Sequence, residues 1–240
     1  MHFKIIIVGG APCEPYLDKC IQYVNQQTYT DWECIVWLDP FKAASDLATK
    51  LQSKKIKFKI NNVWQGALFN IVHAIRLINP KEDDIIILID GDDYLINKDA
   101  LKVILSYYKR NDILATHGSF IYENGKKGEY CEPYTTFEFN HLRSASWKFC
   151  SPKTFKFKLW KHLSHHDLED DTGHYAKIGW DLSLLSLLEM AGIDRVQWIS
   201  DILYQYNKHH LNDDKKNRIE QIRIENYFRG MKPKQRIEKL

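Results

Sequence analysis

The stretch Ile85-Ile86-Ile87-Leu88-Ile89-Asp90-Gly91-Asp92-Asp93 decides how this chain is read. Five uninterrupted apolar β-formers make a strand buried on both faces, as in a parallel sheet, and that strand runs straight into three carboxylates within four positions. The same grammar repeats upstream. Residues 3–8 form a β-branched run closed by Gly9-Gly10, and residues 33–38 form a second strand that Asp39-Pro40 stops. Between them, Leu17, Ile21 and Val24 stand at helical spacings over residues 18–24. Residues 45–52 suit a helix, Ile56–Ile60 a third strand, and residues 66–78 a helix with Leu68, Ile71, Val72, Ile75 and Ile78 on one stripe, ended by Asn79-Pro80. Such alternation predicts a doubly wound, mostly parallel α/β sheet, whose ligands bind beyond the carboxyl ends of the strands. Gly9, Gly10, Ala11, Asp39 and the Asp90 to Asp93 turn all fall on that edge.

After residue 97 the alternation stops and the pattern becomes α+β. Residues 101–108 read as a helix, 113–122 contain a strand, and Asn124-Gly125 is a hairpin turn. Residues 180–191 carry Leu182, Leu185, Leu188 and Met190 at near-helical spacing, with Gly192 as C-cap, which puts Asp181 in the first turn of a helix. The expected organisation is one domain over 1–207, with a nucleotide-binding half (1–97) and an acceptor half (98–207), followed by a basic helical tail over 208–240.

Composition narrows the function. The 240 residues are 44% hydrophobic and 27% charged, enough for a core without disulfides or metals. Lys+Arg 34 against Asp+Glu 31 leaves only +3, too weak a field for nucleic acid to be the main ligand. Five cysteines with no CxxC pair read as reduced thiols of a cytoplasmic protein. The first strand is shorter than the ~7 to 15 apolar residues of a signal-peptide core. Nor does any run reach the ~20 apolar residues of a membrane span, so membrane contact would be peripheral. The positive charge sits in the tail, where ten Lys/Arg face five Asp/Glu and Ile219, Ile222, Ile224 and Phe228 are interleaved. Two readings follow for it: an amphipathic helix resting on an anionic membrane or a partner, or a basic helix packed on the domain.

Three crowded carboxylates repel one another unless a cation compensates. Oxygen ligands select Mg²⁺ or Mn²⁺, which takes only one or two carboxylates and fills its shell with water and phosphate, and so points to a nucleotide diphosphate. The plain alternative is an Asx-rich turn in which Asp93 caps and Asp92 is solvated.

With these residues in order, the chain resembles the GT-A-fold glycosyltransferases of family 2. The resemblance runs through the first strand, Tyr16 to Ile21, Asn25 to Tyr29, Glu33 to Val36, Asp39, Gly66 to Asn70 and Leu88 to Asp93. It continues in Trp180-Asp181-Leu182, Leu188 to Gly192 and Leu203 to Asn207, covering roughly residues 3–217. It implies that Gly9, Gly10, Ala11 and Asp39 hold the nucleotide base, that Asn70 and Gly91 belong to the substrate site, and that Asp90 contacts ribose and metal. Asp92 would ligate the metal directly, His210 (or His209) would supply the last metal ligand, and Asp181 would be the general base. Two departures stand out: Phe69 replaces the arginine that often precedes the asparagine, and Gly9-Gly10-Ala11 replaces Pro-Thr-Tyr types. Lys153, with Arg143 second, is the cation expected to take over at the pyrophosphate. His165-His166 offers a further histidine pair, and Trp147, Trp160 and Trp180 offer flat faces to a sugar. Asp167, Glu169, Asp170 and Asp171, rivals of Asp181, read as a solvated loop.

The expectation is therefore a metal-dependent inverting transferase using Mn²⁺ or Mg²⁺. Asp39 is placed to accept from uracil N3–H, which favours a UDP-sugar, and the acceptor would be a glycan, lipid-linked or protein hydroxyl. A sugar nucleotidyltransferase would need a basic, glycine-rich phosphate loop that Gly9 to Glu14 lacks. An aspartyl phosphatase would carry its DxD on the first strand. A catalytically silent nucleotide-sugar-binding or scaffolding domain is the remaining alternative.

Overall fold

Among the described residues, seven strands share one sheet: β1 (Phe3–Gly9), β2 (Trp32–Leu38), β3 (Ile56–Ile60), β4 (Ile85–Asp90), β5 (Ala115–Tyr122), β6 (Lys153–Lys156) and β7 (Val196–Tyr206). The structure is a computed structural model that describes residues 1–110, 112–208 and 217–239. The strands lie in the order β3-β2-β1-β4-β6-β5-β7. β1 to β4 are mutually parallel where they pair, and only β6 runs against its neighbours β4 and β5. Helices α1 (Leu17–Asn25), α2 (Ala44–Leu51), α3 (Ala67–Ile78) and α4 (Ala100–Tyr108) belong to the first half and its junction. α5 (Thr136–Asn140), α6 (Phe157–Trp160), α7 (Leu185–Ala191) and α8 (Arg218–Gly230) belong to the second.

The sheet is covered on both faces, which is why β4 has no polar alternation. Ile86 and Leu88 join one apolar layer with α3 and α7, and Ile85, Ile87 and Ile89 join the other with α1 and α4. Each such side chain contributes about 1.5–3 kcal/mol relative to exposure. Register then carries the chemistry to one edge. β1 pairs Val8 with Asp90, and β2 ends at Leu38 beside Gly9, so Gly9, Asp39 and Asp90 leave the sheet together.

The second half departs from the sequence reading in three places. β6 was not expected; it is held by buried hydroxyls, Thr154 bonding both Tyr108 (2.7 Å) and Thr116 (2.6 Å). Residues 180–191 do not form one α-helix: Trp180–Leu184 is a 3₁₀ helix that gives way to α7. It follows Gly179 at φ +65° and leads into α7 as the tighter turn common at the start of an α-helix, with Leu182 and Leu184 buried. Asp181 therefore sits on a 3₁₀ turn, where the macrodipole argument is weak. Gly192 does cap α7, at φ +81°.

The third departure concerns the acidic run and the tail, which are each other's counterions. Asp167 is fully buried and pairs with Lys234 (2.7 Å), while Asp170 and Asp171 pair with Arg223 on α8. The run is not a solvated loop. Ile224 and Phe228 of α8 enter the core, and Arg143 clamps Glu189 with two bonds (2.7 and 2.6 Å) while donating to the Phe228 carbonyl. Among the described residues, no helix is long and apolar enough to cross a membrane.

This packing makes a pH-dependent prediction. Burial raises the Asp167 carboxyl, but Lys234 and the Ser164 bonds outweigh it, leaving its pKa below the ordinary aspartate value of 3.8. A carboxyl depressed on folding contributes stability that is present above 3.8 and lost as pH falls through the lower folded value. Lys234→Met, which strands a buried charge, is expected to cost on the order of 3 kcal/mol at neutral pH. Urea unfolding should find that difference shrinking below pH 3.8; a difference independent of pH would remove the ion pair from the account.

Candidate active site

A cavity of about 460 Å³, within the usual range of ~300–1,000 Å³ for small-molecule sites, opens at the carboxyl edge of the sheet. One part of its wall is Gly9, Gly10, Ala11, Asp39, Asn70, Asp90 and Asp92; another is Trp64 and the loop from Lys177 to Asp181, with Tyr206 and Gln221.

Asp39 is fixed before any ligand arrives. Its Oδ1 accepts from Asn61 Nδ2 (2.8 Å) and from the Gln65 amide (2.9 Å), and its Oδ2 accepts from the Gly66 amide (2.9 Å). A carboxylate has about four acceptor sites, so one remains. Gly66 is required here: it stands at φ +88°, and a Cβ would lie 2.6 Å from Lys177 Cα. Asn61, which the sequence reading passed over, is the hub, since it also accepts from Trp37 Nε1 (2.8 Å) and donates to Asn70 Oδ1 (2.7 Å). Its position directly after β3, on the ligand edge, was the available signal. The Asn70 Nδ2 atom is buried and has no partner among the described residues.

The acidic turn is pinned by the end of β7. Tyr94 and Gln205 exchange backbone bonds (3.1 and 2.9 Å), the Asp90 amide donates to Tyr204 Oη (3.2 Å), and the Asn207 amide donates to Asp93 Oδ1 (2.8 Å). Leu203 to Asn207 is thus brought onto the carboxylates. Asp93 is buried and structural, and burial together with the Asp92 and Asp90 charges pushes its carboxyl well above the ordinary range. No three His, Cys, Asp or Glu side chains among the described residues converge as a metal cage. Asp90 and Asp92 both line the cavity, and two carboxylates suit Mg²⁺ or Mn²⁺, which takes only one or two and keeps water and phosphate in its shell. His209 and His210 lie outside the described residues. His165 is engaged elsewhere, with Arg76 (2.9 Å) and Tyr175 (3.1 Å).

Lys153 is paired with Asp181. β6 sets it opposite Leu88, its side chain is only 8% exposed, and its Nζ lies 2.7 Å from Asp181 Oδ1 and over the Trp180 ring. Burial opposes its charge, but Asp181 and Asp90 outweigh that and raise its pKa. It does not line the cavity, and Arg143 is spent on Glu189. Among the described lining residues the cation is Lys177, whose Nζ stacks on Trp64 at 4.7 Å. Its place three residues before Trp180 was a signal the sequence reading did not use. Of the three tryptophans expected to face a sugar, Trp180 lines the cavity, as Trp64 also does, while Trp147 and Trp160 pack on the core.

A cavity at this edge of such a sheet defines an α/β domain of the nucleotide-binding kind in architecture, and comparison places it among known proteins. The family model "Glycosyl transferase family 2" matches residues 5–171, and the chain belongs to that family. Among solved structures, S. aureus TarS is similar at TM-score 0.65 and 17% identity, over 88% of this chain and 37% of TarS. A TarS fragment, residues 1–349, in complex with UDP-GlcNAc gives TM-score 0.63 and 19% identity, over 87% of this chain and 59% of that one. The mannosyltransferase PcManGT from Pyrobaculum calidifontis, in complex with GDP-Man and Mn²⁺, gives TM-score 0.55 and 16% identity, over 86% and 56%. The fold is the GT-A fold, and the chain spans under two thirds of the length of these relatives. No curated protein sequence matches the chain.

Proposed function

We propose that the protein is a metal-dependent inverting glycosyltransferase that moves a sugar from a nucleotide diphosphate sugar, with UDP favoured, to an acceptor hydroxyl. The observation that carries this is the meeting in one cavity of Asp39, Asn70, Asp90 and Asp92 with Trp180-Asp181. Asp90 and Asp92 would hold Mn²⁺ or Mg²⁺, which when bound supplies positive charge for the departing diphosphate. Lys177, on the cavity wall, adds a second positive charge there. Lys153 holds one oxygen of Asp181, so the carboxylate is oriented by a buried cation and its other oxygen is left to accept the acceptor hydroxyl proton. The acceptor oxygen then bonds to the anomeric carbon as the bond from that carbon to the diphosphate oxygen breaks, which inverts the centre. UDP bound to a neighbour, and the Mn²⁺ complex of another, support the donor class and the metal. For the tail, Ile224 and Phe228 are used in the core while Ile219 and Ile222 stay exposed, so the helix is packed on the domain and keeps part of its apolar surface for a membrane or partner.

The base is read by the one acceptor site that Asp39 has left. Uracil N3–H can fill it from the ring edge; cytosine, whose N3 carries no hydrogen, can offer only its exocyclic amine and would have to shift to do so. Competition among UDP, GDP, CDP and dTDP is therefore expected to rank UDP first and CDP last, and a clear preference for CDP or GDP would overturn the uracil assignment.

A further inference from the structure

We infer that Gln221 on α8 reads the glycosyl group of the donor, so that the C-terminal segment, outside the stretch matched by the family model, completes the specificity pocket; this rests on the donor reading above. Gln221 lines the cavity beside Gly179, Trp180 and Asp181. The approach is close: a Cβ on Gly179 would stand 3.3 Å from Gln221 Cγ and 3.4 Å from the Gln221 backbone carbonyl oxygen. The side chain is held there by the helix, whose Ile224 and Phe228 are anchored in the core and whose Arg223 is tied to Asp170 and Asp171.

Its Oε1 atom is buried and has no partner among the described residues. A glutamine on a helix surface ordinarily keeps its amide in water, so an acceptor withheld from solvent and unpaired is satisfied only when something else donates to it. Chemistry then narrows the donor. A diphosphate carries acceptor oxygens and no hydrogen to give at neutral pH. The base N–H belongs with Asp39, which lies with the Gly9 to Ala11 segment, and the ribose with Asp90. Beside Trp180 and Asp181, where sugar and acceptor meet, the remaining donors are the hydroxyl or acetamido N–H groups of the transferred sugar. Asn70 Nδ2, on the Asn61 side of the same cavity, is a second buried polar atom without a partner among the described residues. Gln221 is a specificity-determining residue in this account, and Asp181 remains the base.

Titration separates the possibilities, using wild type, Gln221→Met and Gln221→Ala with Mn²⁺ present. The ligands are UDP against UDP-glucose and UDP-N-acetylglucosamine, and GDP against GDP-mannose. The nucleoside diphosphate should bind each variant within about twofold of wild type. The matching nucleotide sugar should bind about tenfold more weakly, as expected for one lost buried hydrogen bond. Gln221→Met, which removes an unpaired buried acceptor and keeps its length, should melt at or above the wild-type temperature. A nucleotide-sugar affinity that follows the diphosphate unchanged, with only the acceptor KM raised, would overturn the assignment. So would a melting temperature lowered in both variants with both ligands weakened together, since that is a merely structural role. Wild type that binds none of these ligands would refute the donor reading itself.

Discussion

Asp181→Asn is expected to lower glycosyl transfer by about 10²- to 10⁴-fold, with donor affinity little changed. Asparagine keeps the shape and an oxygen that Lys153 can still donate to, but it cannot take a proton from the acceptor. The geometry makes the expectation specific. Asp181 lines the cavity beside Trp180, its side chain is 35% exposed, and its partner Lys153 is buried and also feels Asp90. Its former rivals have other duties, Asp167 with Lys234 and Asp170 with Arg223. Slow hydrolysis of the donor by water should survive, because departure of the diphosphate does not need the base. Measured by release of UDP with and without acceptor, the variant should lose the acceptor-dependent part. Transfer at the wild-type rate would remove Asp181 from the mechanism.

Much of the amino-terminal half was legible because its signals are local. A fully apolar run such as Ile85 to Ile89 has no exposed face, so it fits only a strand covered on both sides, and parallel pairing then fixes where Gly9, Asp39 and Asp90 emerge. The carboxyl-terminal half was harder because its determinants are distant in sequence. Lys153 is an exposed-type residue by composition, and only the antiparallel entry of β6 beside β4 shows that it is buried against Asp181. The acidic run at 167–171 looked solvated since its counterions, Arg223 and Lys234, lie more than fifty residues on. Gln221 was invisible for the same reason: nothing in a basic tail announces that its helix closes a cavity. The 3₁₀ winding at Trp180 to Leu184, which follows Gly179, is likewise not reported by near-helical apolar spacing.

Asp92→Asn is expected to abolish the metal-supported binding of the nucleotide while leaving the fold intact. Asp92 lines the cavity on the turn whose structural member, Asp93, is held by Asn207, so the turn keeps its shape when Asp92 loses its charge. Even outer-shell partners of a metal are worth about 10- to 100-fold in affinity, so loss of a direct ligand should cost at least on the order of 10²-fold. The most direct test is calorimetric titration of UDP into wild type and Asp92→Asn, each with Mn²⁺ and again with the metal chelated. The account predicts tight binding only for wild type with Mn²⁺, and one weak level in the other three titrations. UDP binding to wild type that ignores Mn²⁺, or Asp92→Asn that binds as tightly as wild type in its presence, would contradict it.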